Sequence, residues 1–369
     1  MSLVSRRTLL AAGAGLAGTA FAPAGLRVPV LAEDPRRRLW RREGGPKLRG
    51  AVFVERRVYP ALDGPTFLGP GAVGPPVSDA ALDALADSGA NLASWSGPGP
   101  FAETAPFAPD PVIEDHIAAW LDRCAARGLF TTLCFRSGPG RSAFAFHPGE
   151  TWYPADLYDA SLWRDTEKQA AWAAMIAWTQ ARFGAHPALA GVLAMDEPNG
   201  IDLGYPSAWL ELARAIAADP SSARTGAPLL LSPDRWARLE VADALRRAVG
   251  PEPVIVTHDY SPWEYTHPGD GQDIAFDPDN AAPPPPRELG AAAVLEFGAR
   301  RGAQDLAGYL RHRISAYEGA GLNWAVFRWT SGWPDYEAVE GRRALDQDWV
   351  AAAILRAGFE ANTVKPGQL

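Results

Sequence analysis

Apolar runs and helical patterns alternate through most of this 369-residue chain. Eight runs read as strands: Ala51–Val54, Ala90–Trp95, Phe130–Phe135, Gly191–Met195, Leu229–Leu231, Val254–Thr257, Ala292–Leu295 and Trp324–Phe327. Most are apolar throughout, not alternating, as parallel strands buried on both faces are. Helical patterns lie between them at Asp79–Asp87, Pro111–Arg127, Asp165–Phe183, Ser207–Ala218, Trp236–Ala248, Gln304–Glu318 and Asp348–Gly358. Ser78 precedes the first as an N-cap, and Gly89 ends it. Eight strand–helix repeats predict a single-domain (β/α)8 barrel. Two stretches break the rhythm: residues 136–162 after the third strand, and residues 261–290 after the sixth. The sixth helix is expected to be shortened or lost there. Both stretches follow the C-terminal ends of strands, the face on which such barrels carry their chemistry.

The first segment stands apart. Ser5-Arg6-Arg7-Thr8-Leu9-Leu10 precedes an uncharged stretch, rich in Ala and Gly, that runs to Leu26. It resembles a twin-arginine export signal, too rich in Gly for a membrane span. Cleavage would follow Ala24 or Ala32. The expected organisation is then a signal over 1–32, a linker over 33–47, the barrel over 48–360 and a tail over 361–369. The resemblance implies a periplasmic or secreted protein. No later stretch is long and apolar enough to span a bilayer.

Composition narrows the chemistry. A net charge of -8, with no long basic run in the body, argues against a nucleic-acid partner. Two cysteines, Cys124 and Cys134, make no disulfide scaffold and no Cys-based zinc site. They read as small buried hydrophobes. His147, His186, His267 and His312 are scattered, without the spacing of metal ligands. No Gly-rich phosphate loop follows the first strand, and no Gly-x-Ser-x-Gly elbow is present. No metal or cofactor is expected. The oligomeric state stays open.

Two strand exits carry carboxylates. The fourth reads Leu193-Ala194-Met195-Asp196-Glu197-Pro198, the seventh Val294-Leu295-Glu296-Phe297-Gly298. Strands four and seven of a barrel face each other across its mouth, so two Glu there can flank a glycosidic bond. The sixth exit reads His258-Asp259-Tyr260-Ser261-Pro262, and a Trp178…Phe183-Gly184…Pro187 segment leads into strand four. In this order and spacing, over residues 48–335, the chain resembles the cellulase-like glycoside hydrolases of family 5 and their clan of retaining barrels.

The resemblance implies Glu197 as general acid/base and Glu296 as nucleophile. It also implies that His258 and Tyr260 line the site, Tyr260 donating to Glu296, and that Trp329 forms a floor under the reacting sugar. Elementary chemistry agrees. A Trp face stacks on the C–H face of a pyranose, and a phenol donating to a carboxylate favours its ionised form. The chain also departs from the family. Asp196 stands where Asn is usual, and an ionised Asp cannot donate to a sugar 2-hydroxyl. Asp196 is therefore expected either to be protonated or to pair with another 2-substituent, such as an amine. Ser94 takes the place of an Arg and Arg136 that of a His. Arg136 or Arg328 would then supply the missing cation near the nucleophile.

Trp95, Trp263, Trp329 and Trp333 are candidate sugar platforms, while Trp120, Trp172, Trp178 and Trp209 fall in helices and read as core. His258 is read equally as packing or as a ligand contact. The expected activity is retaining hydrolysis of an oligo- or polysaccharide by double displacement. Two other readings are a non-catalytic carbohydrate-binding barrel and a transglycosylase using the same two Glu. Sugar, linkage and endo or exo action are left open.

Overall fold

The computed structural model describes residues 34–45, 47–69, 71–219, 226–269, 272–300, 303–329, 349–360 and 364–368. The expected export signal lies outside the described residues, as does Trp333.

All eight apolar runs form parallel strands that close into a barrel. They are β1 (Arg49–Val54), β2 (Leu92–Pro98), β3 (Phe130–Ser137), β4 (Leu189–Leu193), β5 (Leu229–Leu231), β6 (Val254–Asp259), β7 (Ala292–Phe297) and β8 (Asn323–Val326). Among the described residues the longer helices are α1 (Asp79–Asp87), α2 (Pro111–Ala126), α3 (Thr166–Phe183), α4 (Ala208–Ala218), α5 (Ala242–Val249), α6 (Leu306–Gly319) and α7 (Trp349–Phe359). Side-chain oxygens start several of them. Ser78 accepts from the Ala81 amide at 3.2 Å, and Asp110 from Val112 at 3.0 Å. Among the described residues between β6 and β7, a short turn, Trp263–Thr266, and two 3-10 turns replace a helix. Among the described residues, no helix is long and apolar enough to cross a membrane.

Alternation along the strands separates two cores. Val52, Leu92, Phe130, Leu193, Leu230, Val256, Leu295 and Ala325 fill the barrel, while Phe53, Trp95, Leu133, Val192, Ile255 and Val326 meet the helices outside. Cys134 faces the interior and Cys124 the outer layer; both are free thiols.

Residues 34–45 are not a linker. Leu39 and Trp40 are buried with the barrel interior. The Trp40 indole donates to Ala190 O at 3.0 Å, and Asn323 Nδ2 donates to Leu39 O at 2.7 Å. Both contacts fall at strand starts, so the segment plugs the end of the barrel away from the catalytic face. A linker would have left that end wet.

Candidate active site

Strand geometry decides which side chains reach the mouth. Val254 and Val256 point inward on β6, so His258 does too. The same rule along β7 would turn Glu296 outward, because Ala293 and Leu295 face in. A bulge prevents this. Thr257 pairs with Val294 and His258 with Glu296, skipping Leu295. The extra residue turns Glu296 into the mouth and sends Phe297 to the outer layer.

Three carboxylates converge there on one imidazole. His258 Nδ1 lies 2.9 Å from Glu197 Oε1 and 3.6 Å from Glu296 Oε2. Its Nε2 lies 3.9 Å from Asp196 Oδ1. The Tyr260 hydroxyl donates to Glu296 Oε1 at 2.5 Å. Behind the strand, Arg313 and Tyr317 of α6 both donate to Asp259, which fixes the His258–Tyr260 segment. The structure thus brings Asp196, Glu197, His258, Tyr260 and Glu296 together.

The electrostatics correct two expectations. Burial opposes ionisation of Asp196, but Arg136, His258 and a Ser96 hydrogen bond outweigh it and hold the carboxyl below its usual range. Asp196 is therefore a carboxylate, not a protonated stand-in for Asn. Its Oδ2 accepts from Ser96 Oγ at 2.7 Å and from Arg136 Nη1 at 2.9 Å. Arg136 thus serves Asp196, and the cation beside Glu296 is His258. Arg328 is buried against Phe327.

Glu296 is not held in the ordinary carboxylate range by Tyr260. Burial, with the nearby charges of Glu197 and Asp196, pushes it up to about 7 despite His258 and the phenol. Burial alone would depress His258. The charges of Glu296, Glu197 and Asp196 instead raise it to about 9. Asp196, His258 and Glu296 each offer a metal-ligand atom within 4.8 Å of the others. While it is protonated, the His258 imidazole has no lone pair to give to a metal and pairs with the carboxylates instead.

The expected aromatic floor is elsewhere. Trp329 is 3% exposed, lies in the outer layer, and donates its indole N–H to Ala81 O at 2.9 Å. Ala325 and Phe327 face in, and the Phe327 ring is 6.3 Å from that of Tyr260; the strand ends at Val326, so its alternation does not carry on to Trp329. We predict that Trp329→Ala loses ~3–5 kcal/mol of stability, read by denaturant unfolding. A platform role would weaken sugar binding and leave stability intact. Trp95 is also no platform. It is fully buried behind β2, with its indole donating to Glu55 at 2.6 Å. Trp263 is 51% exposed and stacks on His267 at 3.9 Å, at the rim beyond Tyr260.

Three groups near the site went unread in the sequence. The helical pattern Trp236–Ala248 puts Trp236 in a helix. It lies instead in a turn where Arg235, Trp236 and Ala237 all have positive φ, tied by the Trp236 amide to Pro198 O at 2.9 Å. No Gly or Asn marks that turn. Phe146 stacks on Arg136 at 3.9 Å and lies 6.2 Å from Trp236. Arg141 is buried beneath Glu197. The aromatic-rich 136–162 loop was the one available hint for the last two.

No protein-family model and no curated protein matches the chain. Solved structures do. Thermotoga maritima Cel5A in complex with cellobiose, in a mutant form, shares 17% identity at a TM-score of 0.59, covering 87% of this chain and 99% of that one. The same enzyme with mannotriose matches at 16% identity and 0.58, covering 86% and 99%. Pseudomonas stutzeri endoglucanase Cel5A matches at 14% identity and 0.59, covering 86% and 96%. At such identities the likeness speaks for the fold, a (β/α)8 barrel shared with glycoside hydrolases.

Proposed function

We propose that the chain is a retaining glycoside hydrolase in which Glu296 attacks the anomeric carbon and Glu197 acts as acid and then base. One observation carries the reading: Glu197 and Glu296 meet on the same His258 nitrogen, at 2.9 and 3.6 Å. Their two oxygens cannot lie farther apart than those distances end to end. Facing oxygens that close are compatible with the ~5–5.5 Å carboxyl spacing of retaining enzymes.

The residues then divide the work. Glu296, freed of its proton, forms the bond to the sugar as the leaving oxygen departs on the opposite side. The proton for that oxygen comes from the hydrogen-bonded Glu197–His258 pair. Glu197 next draws a proton from water, which attacks the same carbon and releases Glu296. The hydroxyl of Tyr260 keeps Glu296 aimed. Phe327 and Trp263 offer apolar faces for sugar rings.

The cellobiose and mannotriose bound by the structural neighbours suggest β-linked hexose chains as first substrates. The test is a panel of aryl glycosides and polysaccharides, with the first product anomer read by proton NMR. Retained configuration is expected, and an inverted first product would overturn the two-step reading. We also propose export by the twin-arginine route, which Arg6-Arg7→Lys-Lys should block in a cell-fractionation assay; undiminished export would discard it.

A further inference from the structure

We propose that Arg141 is the positioning residue of Glu197: its guanidinium holds the Glu197 main chain in the pose that presents the carboxyl to His258 and to the leaving oxygen. This rests on the reading of Glu197 as acid/base.

Glu197 has φ +43°, a left-handed conformation that a residue with a Cβ rarely adopts unaided. Something must hold it. Arg141 Nη2 donates to Glu197 O at 3.0 Å, and Arg141 Nη1 donates to Arg136 O at 2.7 Å. One guanidinium therefore ties the exit of β3 to the exit of β4. It fixes both the acid/base and Arg136, the residue that pairs with Asp196.

The strut is itself immobilised. Its main chain exchanges two hydrogen bonds with Gly138, at 2.9 and 3.0 Å. Next to it Gly140 turns at φ +72°, where a Cβ would meet the Lys168 side chain at 2.5 Å. Phe146 lies 4.4 Å from the guanidinium. Arg141 is fully buried.

The charge is the telling part. Arg141 forms no salt bridge among the described residues, and its hydrogen bonds go to two carbonyls. A buried cation without a paired carboxylate is expensive, and packing alone would be served by an apolar side chain. What an apolar group lacks is a rigid planar fork that reaches two carbonyls at once, and a positive charge beneath Asp196 and Glu197. A lysine supplies the charge but not the fork.

The test separates acid catalysis from folding. Arg141→Met and Arg141→Lys are assayed on two glycosides of one sugar. One has a sugar leaving group that needs a proton, the other a dinitrophenolate that leaves unaided. Arg141→Met should lose about a hundredfold in kcat/KM on the first substrate. It should change little on the second, and the alkaline limb of its pH profile should move. Arg141→Lys should fall between it and the wild type, and it carries the test if Arg141→Met does not fold. Equal losses on both substrates would mean a merely structural role, and no loss on either would mean no hold on Glu197; each result overturns the proposal. If the wild type cleaves neither substrate, the glycosidase reading fails. Carbon-13 main-chain shifts of Glu197 in wild type and Arg141→Lys, which keeps the charge, then decide on Arg141. Shifts that move away from the left-handed conformation support the strut, and superimposable spectra overturn it.

Discussion

Glu296→Ala should lower kcat by roughly 10⁴-fold or more, while the protein stays folded. The side chain lies at the mouth and is 7% exposed. The defect should be chemical, because among the described residues the neighbouring carboxylates are already engaged. Asp196 is engaged by Ser96 and Arg136, and Glu197 by His258. Added azide provides the discriminating result. Removal of the carboxylate opens a space on the face that Glu296 would attack. Azide entering there should restore turnover of an aryl glycoside bearing a good leaving group. The product should be a glycosyl azide of inverted configuration relative to the substrate. Glu197→Ala should give the opposite hand, since azide then enters after Glu296 has formed its own bond. Undiminished turnover by Glu296→Ala would remove this residue from the mechanism.

The barrel was legible because each strand carries its burial on its face. The triplet Leu229–Leu231 is the fifth strand to the residue, and α1 starts and stops where its Ser78 cap and Gly89 place it. The chemistry was legible where residue type announces it: Glu197, Glu296, His258 and Tyr260 do converge. What failed depended on phase. Trp329 and Trp95 are large aromatics near strand exits, yet both lie on the helix side: alternation along β2 puts Trp95 there, whereas Trp329 follows the end of β8, where alternation no longer applies, and Phe327 takes the inward place. Glu296 reaches the mouth only through the bulge beside Leu295, a pairing irregularity with no mark in its own residues. Phase also explains Arg136, which faces inward as expected, yet meets Asp196 and not the nucleophile. The left-handed turn at Arg235–Ala237 and the Arg141 strut are long-range hydrogen-bond arrangements. The Arg141–Glu197 bond joins residues 56 positions apart, and the Trp236–Pro198 bond likewise links two separate strand exits, so no local pattern encodes them.

The pH profile of kcat/KM should rise through about 7 and fall through about 9, giving an optimum on the alkaline side of neutrality. The sign follows from the two groups. Glu296 must be ionised to attack, and burial with two neighbouring carboxylates raises its pKa to about 7, so activity grows as pH climbs through that value. His258 carries the proton shared with Glu197, and the surrounding carboxylates raise its pKa to about 9, so activity is lost as pH climbs through that value. His258→Gln tests whether the imidazolium does both jobs. Loss of the cation leaves Glu296 facing Glu197 and Asp196 with less compensation. Its acid limb should then move upward by about one to three units, as removal of an adjacent opposite charge does. The limb near 9 should vanish with the group that causes it. At pH 7 the combined effect should be a loss of about a hundredfold in kcat/KM. Rate measurements from pH 5 to 10 on both proteins supply the comparison. A wild-type acid limb in the ordinary carboxylate range would overturn the raised pKa of Glu296, and a variant that keeps both limbs in place would show that His258 does not set the charge state of Glu296.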